Sequence, residues 1–235
     1  MNYLPKASSV LGIAILLCGI PIAPSAEEIV QTRAEDFYNR GVSKTHREDY
    51  RGAIADLQRS ATLFTQQRDP ANAYKSRALA IYLEWGQKRL QSPASSEPLP
   101  SWYKSGSCIG EATCQYGITS IDPEAEKTAF GGILILEKKL RMQQRPDGSG
   151  EPVEAVLDVR VVPKLRPEEW LQQVNCQIRG KADNRIIAIV QIQGFEDADL
   201  YTKVRQAWRV NFSTEKIDAI PTANIACVNP CPGGC

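Results

Sequence analysis

The sequence predicts an α+β protein: a helical region first, then a disulfide-bonded antiparallel β-sheet domain. Three observations carry this fold class. Apolar residues recur at helical spacing through residues 27–90, and beyond residue 130 the period changes to alternation broken by turns. The third is that six of the seven cysteines lie beyond residue 100.

Residues 1–26 read as a secretory signal peptide. Lys6 is followed by an apolar run from Val10 to Ile22 and then by Ala23-Pro24-Ser25-Ala26, with cleavage expected after Ala26. Pro21 and Pro24 leave the run too short for a membrane anchor. Cys18 follows Ile15-Leu16-Leu17 and so lacks the small residue that a lipidation signal places before its cysteine. Lys6 leaves with the signal, so 28 basic residues become 27, against 27 acidic ones. A balanced chain argues against nucleic acid as a partner, and no stable membrane insertion is expected after cleavage. The expected location is an exported compartment, the periplasm or the extracellular space, or the thylakoid lumen in the case of a photosynthetic source.

The first helix carries Val30, Ala34, Phe37, Tyr38, Gly41 and Val42 on one face. The polar break His46-Arg47-Glu48-Asp49 separates it from a second, with Tyr50, Ala53, Ile54, Leu57, Ala61 and Phe64. Asp69-Pro70 announces a third as N-cap and first-turn proline. Its face is Ala71, Tyr74, Ala78, Ile81, Tyr82 and Trp85, and its end is expected near Gly86 or Leu90.

The stretch from Ala34 to Phe64 resembles one tetratricopeptide repeat. Phe37 stands at the first large aromatic position, Gly41 at the small position where two helices touch, and Tyr50 just before the second helix. Arg40 and Lys44 depart from the usual apolar residues, and the closing proline comes late, at Pro70. The resemblance implies recognition of a protein partner, or self-association, through a helix face. It points to Tyr38, Lys44, Arg47, Tyr74, Arg77 and Tyr82 as partner-binding positions. One such hairpin cannot bury its own apolar face, since arrays normally need about three units. The rest of the chain, a second copy or a partner must cover it.

Residues 91–107 are rich in proline and serine and read as a linker, making 108–235 the β domain. Ile133-Leu134-Ile135-Leu136 opens a strand running towards Met142, and after a turn at 145–150 its partner returns from Val153 to Val162. Pro167-Glu168-Glu169-Trp170-Leu171 suggests a short helical turn. A second hairpin pairs Val174–Arg179 with Arg185–Gln193, and a third pairs Ala207–Phe212 with Lys216–Ile220. A last strand lies near Ile225–Val228. The part from Ala207-Trp208 to Cys227 resembles exported bacterial proteins of uncharacterised function.

Removing Cys18 leaves Cys108, Cys114, Cys176, Cys227, Cys231 and Cys235, an even set suited to an oxidising compartment. The simplest of 15 pairings joins 108 to 114, 176 to 227 and 231 to 235. The alternative is a metal held by Cys176, Cys227, Cys231 and Cys235.

Chemistry is poorly signalled. His46 is the only histidine, so the usual base-assisted nucleophile has few parts to draw on. The Asp147-Gly148-Ser149-Gly150-Glu151 stretch and the acids Glu196, Asp197 and Asp199 lack the ligand spacing of a calcium loop. Gly180-Lys181-Ala182 lacks the rest of a phosphate loop, and no cofactor is expected. The leading expectation is therefore a non-enzymatic exported protein that binds or assembles through its helices. The alternative is a small-ligand or glycan-binding β domain using Trp102, Tyr103 and Trp170. A carboxylate-pair hydrolase is a third class, recognisable by two buried acids in a cleft.

Overall fold

The computed structural model describes residues 26–91, 98–110, 113–125, 128–145, 148–192 and 198–230, with side chains from Arg33 onward. The expected signal peptide, most of the proline-serine stretch, Asp147, Glu196, Asp197, Cys231 and Cys235 lie outside the described residues.

The helices are α1 (Ala26–Thr45), α2 (Tyr50–Gln66) and α3 (Pro70–Gln91). Asp49 starts α2 by accepting the Gly52 N–H at 2.9 Å, and Asp69 starts α3 by accepting that of Asn72 at 3.0 Å. Gly41 lets α1 and α2 touch: a Cβ there would lie 2.9 Å from Leu57 Cγ and 3.2 Å from the Ala53 carbonyl oxygen. Beside this contact the Ser60 hydroxyl donates to the Ala34 carbonyl and lies 3.2 Å from Ser76 Oγ, linking all three helices.

Twelve strands follow among the described residues: β1 (Tyr103–Cys108), β2 (Tyr116–Ile121), β3 (Phe130–Gln144), β4 (Gly150–Pro163), β5 (Glu169–Gln173) and β6 (Cys176–Ile178). The rest are β7 (Lys181–Asp183), β8 (Ile186–Gln191), β9 (Leu200–Tyr201), β10 (Val204–Asn211), β11 (Lys216–Ile220) and β12 (Ile225–Val228). They form three antiparallel four-stranded sheets, ordered β1-β2-β3-β4, β11-β10-β8-β5 and β7-β6-β12-β9. The molecule is thus α+β, with its helices stacked on a pile of sheets.

Two apolar runs explain the stacking. In β3, Ile133 and Ile135 face the helices while Leu134 and Leu136 face the second sheet. In β8, Ile187 and Ile189 face the first sheet while Ile186, Ala188 and Val190 face the third. A strand apolar on both sides belongs in the middle of layers, so each run is shared by two cores. The helices' inner face, including Leu57, Tyr74, Leu79 and Leu83, packs on Ile121, Ile133, Ile135, Val156 and Val159. The chain itself therefore covers the surface that the hairpin cannot hide alone.

Three local expectations change. Residues 103–107, expected in the linker, form most of β1, a half-buried edge strand whose alternation is weak in sequence. The expected helical turn at Pro167 is a tight turn closed by Glu169 N–H donating to the Arg166 carbonyl at 3.0 Å, and Glu169 already opens β5. The expected partner of the strand at Val174–Arg179 was also misplaced. Arg179 and Gly180, with φ of 52° and 77°, make a two-residue turn into β7, whereas β8 pairs with β5 and β10 in a different sheet.

Cys108 is bonded to Cys114, and Cys176 to Cys227, its register partner across β6 and β12. The metal alternative needs both Cys176 and Cys227 as free thiolates, and they are joined to each other.

Candidate functional site

The six helix positions do not converge on one outward surface. Tyr74 is fully buried, donates its hydroxyl to Asp122 at 2.9 Å and stacks on Phe130. Tyr82 is buried against β3, and Arg77 pairs with Glu124. Tyr38 is half-buried, with Lys75 Nζ 4.3 Å from its ring centre. Lys44 pairs with Asp56 at 2.9 Å, while Arg47 is exposed in the α1–α2 turn. The aromatic row of α3 thus faces this chain's own sheet, because the isoleucines and valines of β2–β4 offer it a complementary apolar face.

His46 sits in the same turn, and its ring nitrogen Nε2 donates to the Val156 carbonyl of β4 at 3.0 Å. The residue is exposed, and this contact ties the turn to the sheet.

Beneath α3 lies a pair of carboxyls that the sequence did not single out. Alternation along β3 turns Glu137 inward, in the row of Ile133 and Ile135, where it is 3% exposed. Its Oε2 accepts hydrogen bonds from Tyr82 at 3.1 Å and Thr119 at 2.9 Å. Burial, then the nearness of Glu154, pushes its pKa well above the usual carboxylate range. Glu154 stands two residues before Val156, the register partner of Glu137, so the two acids are diagonal neighbours on the helix side of the sheet. Its Oε1 would lie 3.7 Å from a Cβ at Gly117, opposite Glu137 on β2, so its carboxyl leans across β3. Burial, then the Glu151 charge, raises Glu154 to about 7. Glu151 itself is held by Arg89 and Arg145.

The space beside this acid pair is about 80 Å³, well below the roughly 300–1,000 Å³ of small-ligand pockets. It has the chemistry of an acid pair but no room for a sugar ring. Trp102 and Tyr103 are half-buried nearby, packed on Trp85 at centroid separations of 5.6 and 5.5 Å.

Trp170 differs from these aromatics. It is 55% exposed on β5, the edge strand of the second sheet. Beside it opens a groove of about 390 Å³ with Leu165 and Leu171 on its apolar side. Lys104, Ser105, Ser120, Asp122 and Lys164 supply hydroxyl and charged groups to the same groove. The wall carrying Lys164 and Leu165 is anchored by Glu169, which is 8% exposed. Its carboxyl accepts the Arg166 backbone N–H at 2.9 Å and pairs with Arg205 at 2.7 Å. Burial alone would raise the Glu169 pKa, but the Arg205 hydrogen bond and the Arg166 N–H outweigh it, and the group is held below its ordinary value. Arg205 also donates to the Lys164 carbonyl at 3.2 Å.

Of the ligand candidates Trp102, Tyr103 and Trp170, only Trp170 lines this groove, while Tyr74 and Arg77 line a separate one of about 390 Å³ with Pro70 and Phe130. The polar partners around Trp170 come from β1, β2 and the loop after β4, which are far apart in the chain. No local spacing could have assembled them.

No family model matches the chain, and no curated protein or solved structure shows significant similarity to it.

Among the described residues, no helix is long and apolar enough to cross a membrane, and no group of three or more acidic, histidine or cysteine side chains is placed to hold a metal ion.

Proposed function

We propose that this chain is an exported binding module whose ligand is a saccharide seated beside Trp170. The observation that carries this is a large indole left 55% exposed next to a groove lined by Ser105, Ser120, Asp122, Lys104 and Lys164. A sugar ring has one apolar C–H face and a rim of hydroxyls. An open indole suits the first, and serine, carboxylate and ammonium groups suit the second. The two disulfides are consistent with an exported protein. Docking of a partner on the helices has less support, because α1 and α3 rest on β3 and β4. Hydrolysis by the Glu137–Glu154 pair has less support, because the adjoining space is about 80 Å³.

The test is a titration of the mature chain with maltotriose, N,N′-diacetylchitobiose and glucuronic acid, followed by tryptophan fluorescence and calorimetry. At least one should bind and shift the emission, and Trp170→Ala should weaken it about tenfold or more. Trp102→Phe should leave the affinity intact. Absence of binding by all three, or equal affinity in Trp170→Ala, would overturn the proposal.

A further inference from the structure

We propose a second ligand site, for a small organic anion with a flat apolar body, in the groove between the β6–β7 hairpin and the end of β10. This groove has a volume of about 560 Å³, and it shares no lining residue with the groove at Trp170.

Its two guanidinium groups are positioned by a single carboxylate. Asp183 Oδ1 accepts from the Arg185 backbone N–H at 3.1 Å and from Arg185 Nε at 2.8 Å. Its Oδ2 takes a second Arg185 bond at 2.9 Å and pairs with Arg209 at 2.5 Å. The Val210 N–H donates to the Arg185 carbonyl at 2.9 Å, which fixes this turn to β10. The guanidinium groups are therefore preorganised by folding, which lowers the ordering cost of a ligand that uses them.

Asp183 does not neutralise its surroundings. Lys181, Arg185 and Arg209 line the groove with this one acid, an excess of two positive charges. Lys181 is exposed and forms no ion pair among the described residues. Asp218, the cross-strand neighbour of Arg209, takes a hydrogen bond from the Asn211 amide and lies outside ion-pair distance of Arg209. Independently of charge, the Nε–H of Arg209 is buried and meets no acceptor among the described residues. A buried donor left unmet is unfavourable, so a guanidinium in this state favours an incoming anion.

The groove also has an apolar, well-packed lining. Phe212 lines the groove and stacks on Tyr116, with ring centres 4.6 Å apart. Gly110 meets the Phe212 ring with φ of +90°, and its loop is closed by the Cys108–Cys114 bond. A Cβ at Gly110 would collide with that ring, so only glycine leaves Phe212 in place. An aromatic ring lining the same groove as two guanidinium groups suits a flat molecule ending in carboxylate or phosphate.

The test uses the mature chain with benzoate, phenyl phosphate, inorganic phosphate and neutral benzamide, read by calorimetry and by amide chemical shifts at Asp183–Arg185. Benzoate or phenyl phosphate should bind, more weakly in high salt, and about tenfold more tightly than benzamide. Phenyl phosphate should also exceed inorganic phosphate. Arg209→Gln should weaken binding about tenfold, and Lys181→Glu, a surface change that does not depend on the ion pair for folding, about fivefold or more. Trp170→Ala should have no effect, which separates failure here from failure of the saccharide site. Benzamide binding as well as benzoate, inorganic phosphate binding as well as phenyl phosphate, or unchanged affinity in Lys181→Glu would each overturn the proposal.

Discussion

Thr45 Oγ1 receives the backbone N–H of Val156 at 3.0 Å, joining the end of α1 to the outer strand of the first sheet. His46 takes the Val156 carbonyl from the other side. Between Asp158 and Val156 the ladder skips Leu157, so Val156 follows a bulge on an edge strand, where backbone groups otherwise face solvent or another chain. The α1–α2 turn thus seals an exposed edge as well as reversing the chain. Thr45→Val keeps the shape and removes the acceptor. It should cost about 1–3 kcal/mol in urea denaturation, with Thr45→Ser close to wild type. Equal stability of the valine variant would show that the bond contributes nothing.

The Glu137–Glu154 pair makes stability depend on pH. With its pKa raised from 4.5 to about 7, Glu154 binds more protons folded than unfolded between those values. Stability should therefore fall as pH rises from about 5 to 8, by up to about 3 kcal/mol from this group. Glu137 is shifted in the same direction and adds to the fall. Glu154→Gln should flatten much of this dependence, leaving stability near pH 4.5 almost unchanged and raising it at pH 8. Denaturation midpoints equal at pH 5 and pH 8 in the wild type would contradict the buried pair.

How much of this was legible in the sequence depends on the range of the contacts. The helices and the β3–β4 and β10–β11 hairpins were readable because their periods and turns are local. Ile133-Leu134-Ile135-Leu136 also carried a message, since a run apolar at every position belongs in a central strand. Glu137 follows that run at an inward position, and a charge there was the available signal for the acid pair. The covering of α3 by β2–β4 could not be read. An aromatic face such as Tyr74, Tyr82 and Trp85 looks the same whether a sheet or a partner covers it. The β6–β7 pairing was missed because Arg179 adopts the positive φ usual for glycine or asparagine, so the turn is shorter than Gly180–Asn184 suggested.

Asp56 should control stability at the acid end. It is buried between Arg40, which donates at 2.7 and 2.6 Å, and Lys44. The Arg40 hydrogen bonds hold its pKa down at about 2, against an ordinary 3.8. Its stabilisation is present above the ordinary value and is lost as pH falls through about 2. Asp56→Asn should cost about 1–2 kcal/mol at pH 7, a modest figure because Arg40 is half in solvent, and the difference should shrink towards pH 2. A penalty that persists undiminished at pH 2 would mean that packing, and not charge, holds this site.

Glu169 should govern the groove proposed for a saccharide without touching the ligand. Its carboxyl holds the Arg166 backbone and Arg205, and Arg205 in turn holds the Lys164 carbonyl, so one buried acid fixes the loop that walls the groove. Glu169→Gln places an amide N–H₂ among those donors and should free the loop while the sheets stay intact. The expected result is faster amide exchange at Lys164–Arg166 and about three- to tenfold weaker binding of the ligand that shifts Trp170 emission. Arg205→Lys should fall between this variant and wild type, because it keeps the charge but loses the fork. Faster exchange with unchanged affinity would detach the loop from ligand binding.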